Sequence, residues 1–176
     1  MQSQTSLGDA EAAAYFAGLF DGEGSVSISF KKPGVRANAG WKGNHRLEVQ
    51  LAMCDEGAVR AFAAFAGVGR VYEWGPRDGV RNVSWHFSAN GNNAVIVLEK
   101  LRPYLRVKAA HAEIAVAFQK TISKPGPPFP VTPEVFAQRE EWRSRLRSMN
   151  KKAHDRTGSV GSSPAGSQGL GDGAPY

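Results

Sequence analysis

The chain has 176 residues, 41% of them apolar and 10% aromatic, which suits one domain with a full core and excludes wholesale disorder. Its 22 Lys and Arg exceed its 16 Asp and Glu, a net charge of +6 that favours polyanionic partners, nucleic acid above all. The single Cys54 excludes an internal disulfide, Met1–Asp9 lacks the character of a secretory signal, and no apolar run approaches the ~20 residues needed to cross a bilayer; a soluble, intracellular protein with no membrane partner is expected.

Asp9 is a suitable N-cap for a first helix through Glu11 to about Phe20. Asp21-Gly22-Glu23-Gly24 should end it, its glycines releasing the backbone from helical angles. Val26, Ile28 and Phe30 then alternate with Ser25, Ser27, Ser29 and Lys31, which reads as a strand with one buried and one wet face. Pro33–Asn44 reads as a mobile hairpin loop, and alternation resumes with Leu47, Val49, Leu51 and Met53 inward and Arg46, Glu48 and Gln50 outward. Asp55 caps a second helix with Val59, Phe62, Ala63 and Ala66 as its apolar stripe and Gly67 at its end. Strands at about Arg70–Trp74 and Arg81–Ser88 flank Gly75–Gly79, and helices follow at Asn92–Leu101 and about Val107–Lys120. The Pro-rich stretch Lys124–Pro130 is a connector. Thr132-Pro133 opens a last helix bearing Arg139, Arg143, Arg145, Arg147, Lys151 and Lys152. The expected organisation is a flexible N-terminus (1–9), one domain (10–156, with core 10–121, connector 122–132 and basic helix 133–156) and a disordered tail (157–176).

This order predicts an α+β domain, a four-stranded antiparallel sheet with helices on one face. The other face would carry Ser27, Ser29, Lys31, Arg46, Glu48, Gln50, Arg70, Tyr72, Ser84 and His86. Most such faces are simply solvated, but laid into a DNA groove these groups would read base edges.

The segment Phe16-Ala17-Gly18-Leu19-Phe20-Asp21-Gly22-Glu23-Gly24 carries the chemistry. Small side chains at Ala14, Ala17, Gly18 and Gly22 would let another backbone approach closely. Two acids end the helix where its dipole disfavours negative charge, which a solvated turn tolerates and a divalent cation would relieve. His45, His86, His111 and His154 are isolated, so no zinc site is expected.

In these residues the chain resembles the LAGLIDADG homing endonucleases. Phe16–Gly24 matches their motif, with Phe16, Phe20 and Glu23 in place of Leu, Ile and the second Asp. Leu47–Asp55, the helix after it and Gly67-Val68-Gly69-Arg70-Val71-Tyr72 are similar to the family's second strand, second helix and start of the third strand. Leu98–Lys108 resembles the Leu-x-Pro-x-Leu-x-x-Lys segment before the next helix, so the likeness spans residues 10 to 121.

The resemblance implies an αββαββα saddle whose sheet sits in the DNA major groove. Motif helices of two subunits would pack at its centre, along a seam of Ala14, Ala17, Gly18 and Asp21. Glu23 would be the metal ligand, with the Gly22 carbonyl as a further one, and Asp21 would hold the helix end. Lys108 would lie near the scissile phosphate and the hydrolytic water. The family commonly has Gln at the end of the second strand; here Met53 or Asp55 aligns, and Asp55 is both a candidate catalytic group and a plain N-cap. One motif supplies half a site, which implies a homodimer and a long pseudo-palindromic double-stranded DNA target. Mg²⁺ is the expected cofactor, with Mn²⁺ substituting and Ca²⁺ supporting binding without efficient cleavage; the cut would be staggered with short 3′ overhangs. Arg143, Lys151 and the Trp41-Lys42 loop would touch phosphates. An RNA-binding maturase acting on a host intron and a cleavage-inactive DNA-binding regulator are the alternatives; pure binding would need neither Glu23 nor Lys108.

Overall fold

Alternating apolar and polar residues send successive side chains to opposite sides of a strand, and this layers the molecule. The computed structural model describes residues 8–32, 43–75, 83–122 and 131–157, with side chains of the last helix up to Lys151. In chain order the elements are α1 (Asp9–Glu23), β1 (Gly24–Lys31), β2 (Asn44–Met53), α2 (Glu56–Ala66), β3 (Arg70–Trp74), β4 (Ser84–Asn90), α3 (Asn92–Leu101), α4 (Ala109–Lys120) and α5 (Pro133–Thr157). The four strands form one antiparallel sheet in the order β1-β2-β4-β3. This is the expected α+β architecture. Val26, Ile28, Leu47, Val49, Leu51, Phe87 and Ala89 face the helices and are buried with Phe16, Phe20, Phe62, Leu98 and Phe118. Phe62 binds the layers together, its ring stacked 6.1 Å from Phe20 and edge-on 5.0 Å from Phe87.

Several boundaries differ from expectation. Gly8 rather than Asp9 caps α1; its N–H donates to the Glu11 carboxylate at 3.2 Å, and Asp9 lies in the first turn. The helix does not stop at Asp21 but continues through Glu23, and Gly24 leaves it with an extended φ of −79°. Gly24 is therefore not a conformational release. A Cβ there would come within 2.2 Å of the buried Phe20 ring, so this glycine makes room for a core side chain. Gly67, by contrast, ends α2 with φ +71°, its N–H returning to the Ala63 carbonyl at 3.0 Å. β4 begins and ends later than expected, closing on Gly91, whose N–H donates to the Leu47 carbonyl at 2.9 Å.

β2 begins early enough to carry His45 inward, where it is 3% exposed among Phe30, Phe118 and Phe136. Its Nε2 lies 2.6 Å from a Glu140 oxygen on α5. Burial raises the Glu140 carboxyl, but hydrogen bonds from His45 and Arg143 outweigh it and hold the group below its ordinary range. Asn150 adds a bond from its side-chain amide to the Val26 carbonyl at 3.1 Å, and Leu146 is buried, so α5 is fastened beside β1 and α4. Residues 1–7, the Trp41-Lys42 loop, residues 76–82, the connector 123–130 and the tail from 158 lie outside the described residues, as do the side chains of Lys152 and His154.

Gly24→Ala drives a methyl group into the fully buried Phe20 ring, and should destabilise the chain by about 1–3 kcal/mol, as overpacked cores do. Urea unfolding of the variant beside the wild type measures this; equal midpoints would show that the Phe20 ring yields.

Candidate nucleic-acid interface and metal site

A helix C-terminus repels negative charge and a helix N-terminus attracts it. Asp21, in the last turn of α1, lies between one of each. Its carboxylate accepts the backbone N–H groups of Arg106 (2.7 Å), Val107 (3.1 Å) and Lys108 (2.8 Å), the segment that opens α4. Lys108 is the N-cap residue of α4, and its Nζ donates back to the Asp21 backbone carbonyl. Asp21 thus fastens the foot of α1 within its own chain. Burial lowers the Lys108 amino group below the ordinary lysine range, against the pull of the Asp21 and then the Glu23 charges. His111, one turn further along α4, is lowered by burial and by the Lys108 cation, against an Asn150 hydrogen bond and Asp21.

Glu23 is exposed and, among the described residues, makes no side-chain hydrogen bond or ion pair. It stands close enough to Lys108 for its charge to act on the amino group. The Gly22 carbonyl belongs to the last turn, where carbonyls have no partner within the helix. A carboxylate and a carbonyl are hard oxygen donors of the kind that Mg²⁺ and Ca²⁺ accept, so these residues fit such an ion. Two donors do not complete a coordination sphere, and among the described residues no group of three His, Cys, Asp or Glu could hold a metal.

Asp55, by sequence both a candidate catalytic group and an N-cap, caps α2: it is exposed and its Oδ1 accepts the Ala58 N–H at 2.8 Å. The register that pairs Gly24 with Leu51 carries Met53 past the start of β1, level with the foot of α1. Met53 has no group that orients water.

The proposed seam needs one correction. Ala17 is 0% exposed and lies in the core, because it shares a helix face with Ala13, Phe16 and Phe20. The outward stripe is Ala10, Ala14, Gly18 and Gly22, all exposed, and a Cβ on Gly18 or Gly22 would meet nothing within 4 Å. Ala14, Gly18 and Asp21 line a groove whose other wall is Pro103–Arg106.

The register assigns the open sheet face row by row. Ser25, Gln50, Ser88 and Arg70 form one row across all four strands; Ser27, Glu48 and Asn90 form the next, then Ser29 with Arg46, and Lys31 with Asn44. On the other side of the first row come Ala52, His86 and Tyr72, and then Ser84 with Trp74. All ten residues expected on this face lie on it. Ser25, Trp74 and Ser88, all within the expected strands, lie on it too by the same alternation, as does Asn90, two residues past the expected end of β4. The Ser29 hydroxyl donates to Glu48 Oε1 at 3.0 Å and steadies that carboxylate. On α5, Lys151 is exposed, but Arg143 is paired with Glu140 at 3.1 Å, and Arg139 is buried with its guanidinium on the Thr121 carbonyl.

No family model and no curated protein sequence matches the chain. Solved structures do. The chain is similar to the homing endonuclease I-CvuI in complex with its target in the presence of 2 mM Ca, with a TM-score of 0.65 and 21% identity over 80% of this chain and 83% of that one. It is also similar to the archaeal intron-encoded homing endonuclease I-Vdi141I complexed with DNA (0.64, 15%, 81% and 86%) and to the homing endonuclease I-TnaI (0.59, 14%, 80% and 96%). The chain has the homing-endonuclease fold.

Asp21→Ala removes the acceptor from three amides and should cost about 1–3 kcal/mol. Hydrogen exchange at Arg106–Lys108 should accelerate more than exchange in the sheet; uniform acceleration would count against a local clamp.

Proposed function

We propose that this chain is a single-motif LAGLIDADG homing endonuclease that cuts double-stranded DNA at a long pseudo-palindromic site as a homodimer. The observation that carries this reading is the juxtaposition of Glu23, an exposed carboxylate at the foot of α1, with the Lys108 cation clamped beside it. Both stand where α1 runs directly into the polar sheet face. A groove-reading surface therefore leads straight to a hydrolytic group.

In this mechanism the sheet face holds the duplex by its base edges, and exposed cations such as Lys151 hold phosphates. The open face runs for about ten residue steps along the strands, roughly 34 Å, close to one turn of B-DNA. Two such faces account for a long target. Glu23, with the Gly22 carbonyl, would hold Mg²⁺ together with the same residues of a second copy. The ion, when bound, stabilises charge developing on the phosphate and lowers the pKa of attacking water. Lys108 lends positive charge beside the reacting phosphate, and its bond to the Asp21 carbonyl keeps the amino group from swinging into solvent. The Ala10-Ala14-Gly18-Gly22 stripe is the surface on which the second copy packs. The complexes of I-CvuI, with its target in the presence of Ca and with uncleaved DNA in the presence of Mg, support the choice of DNA as partner and of a divalent ion.

Glu23→Gln keeps shape and removes charge, so cleavage of a selected duplex should fall by orders of magnitude while binding persists or tightens. Mg²⁺ and Mn²⁺ should support the wild type, and Ca²⁺ binding with little cutting. Undiminished cleavage by the variant would take Glu23 out of the mechanism; equally strong binding with no wild-type cleavage in any of these metals would favour a DNA-binding regulator.

Substitutions at Gly18 test the assembly. Gly18→Ala should raise the chain's own stability by about 0.5–1 kcal/mol through helix propensity, whereas Gly18→Leu should separate the copies and abolish cutting. A wild-type monomer by analytical ultracentrifugation, with and without DNA, would end the shared-site account.

A further inference from the structure

Within the proposed DNA interface, the open sheet face is chemically divided. On β1 and β2 it carries Ser25, Ser27, Ser29, Arg46, Glu48 and Gln50, groups that exchange hydrogen bonds with base edges. On β3 and β4 the same face carries rings. The Tyr72 ring stacks on His86 at 5.5 Å and 27°, and the Trp74 ring lies 6.2 Å from His86, tilted by 51°. The Arg70 guanidinium covers Tyr72 at 5.6 Å. Ser84 locks the centre of this ladder. Its hydroxyl donates to the Trp74 carbonyl at 3.0 Å and lies 3.0 Å from His86 Nε2. With its one proton already given, the hydroxyl accepts from that nitrogen. Ala52, beside His86 in the sheet, continues the row with a methyl group.

Such a ladder on a solvent face leaves apolar surface in water and needs a reason. Rings that lie flat on a sheet stack against unpaired bases. Here the faces of Tyr72 and His86 are already occupied, by each other and by Arg70, so what they present outward is ring edge. Trp74, 66% exposed, adds the largest apolar surface of the strip. In a duplex major groove the matching apolar feature is the C5-methyl of thymine, which projects from the base edge and is recognised by apolar contact.

We propose that Tyr72, His86, Trp74 and Ala52 form a methyl-reading strip that selects thymine at one or two positions of each half-site. β3 lies three strand spacings from β1, about 14 Å, so the strip and the hydrogen-bonding groups of β1 read different base pairs. This inference rests on the DNA-cutting reading, but it requires the methyl group in particular rather than DNA in general.

The test uses the full chain and a duplex recovered from a randomised library by binding selection. Each thymine is replaced in turn by deoxyuridine, which deletes only the methyl, and binding is measured for the wild type, Trp74→Ala and Tyr72→Ala. At the strip's positions the wild type should lose about fourfold in affinity per methyl removed. Trp74→Ala or Tyr72→Ala should bind the two duplexes alike there while responding normally to changes opposite Arg46. Trp74→Phe should restore part of the discrimination, which separates ring contact from damage to the strand. A recovered target in which no thymine responds, or a response undiminished in both alanine variants, would overturn the proposal and leave the endonuclease reading standing. So would a Trp74→Ala loss confined to single-stranded oligonucleotides, the mark of base stacking. Failure of the wild type to recover any preferred duplex would remove both readings together.

Discussion

The geometry of the site depends on one carboxylate set between two opposed helix ends. At the end of α1 the unpaired carbonyls make a negative charge costly; at the start of α4 three unpaired amides reward it. Asp21 accepts those amides, and Lys108 returns a donor to the carbonyl of the same residue. Each helix end thereby satisfies the other. Without this exchange, Glu23 and Lys108, 85 positions apart in the chain, would have no fixed relation. The core holds the same turn from behind: Phe20 fills the space that Gly24 leaves by lacking a side chain. The foot of α1 is pinned on its polar side by charge and on its apolar side by packing, while Glu23 projects with no hydrogen bond or ion pair among the described residues.

The strands were legible in the sequence because a two-residue period is unambiguous where one face is apolar. Knowing that Val26 is buried assigns Ser25 and Ser27 to the other side, and the assignment extends to any residue the strand contains. Trp74 and Ser88 lie within the expected strands and follow from the same alternation; only Asn90 required β4 to run two residues further. Helix α1 was less legible. It reads Ala-Glu-Ala-Ala-Ala over residues 10 to 14, so small apolar residues occur all around it, and period alone does not say which alanines face a core. Phe16 and Phe20 settle that, and they take Ala17 with them. Asp55 shows a different ambiguity, since a carboxylate just before a helix satisfies both a cap and an active site until its partner is seen.

His45 was not legible at all. A histidine followed by an arginine suggests a wet strand end, and the partner that makes its burial tolerable, Glu140, lies 95 residues away on a helix whose local pattern is overwhelmingly charged. Arg143 joins the same carboxylate from three residues along the helix, at 3.1 Å. Long-range polar pairing leaves no periodic trace, because each member looks like surface within its own segment. The basic character of α5 therefore combines two purposes, docking the helix on one side and offering cations on the other.

The alternation of the strands also governs how this chain can change over generations. Residues such as Ser27, Arg46 and Gln50 point away from the core, and each is flanked along its strand by buried residues that point into it. Mutations in the first set are felt by whatever lies on the sheet and hardly at all by folding; mutations in the second set are felt by folding alone. Sequence drift can therefore explore new molecular partners one position at a time without passing through unfolded intermediates. Ser88 is the exception. It sits on the open face between Gln50 and Arg70, yet is only 5% exposed, so a larger residue there would have to displace its neighbours before it reached anything beyond them.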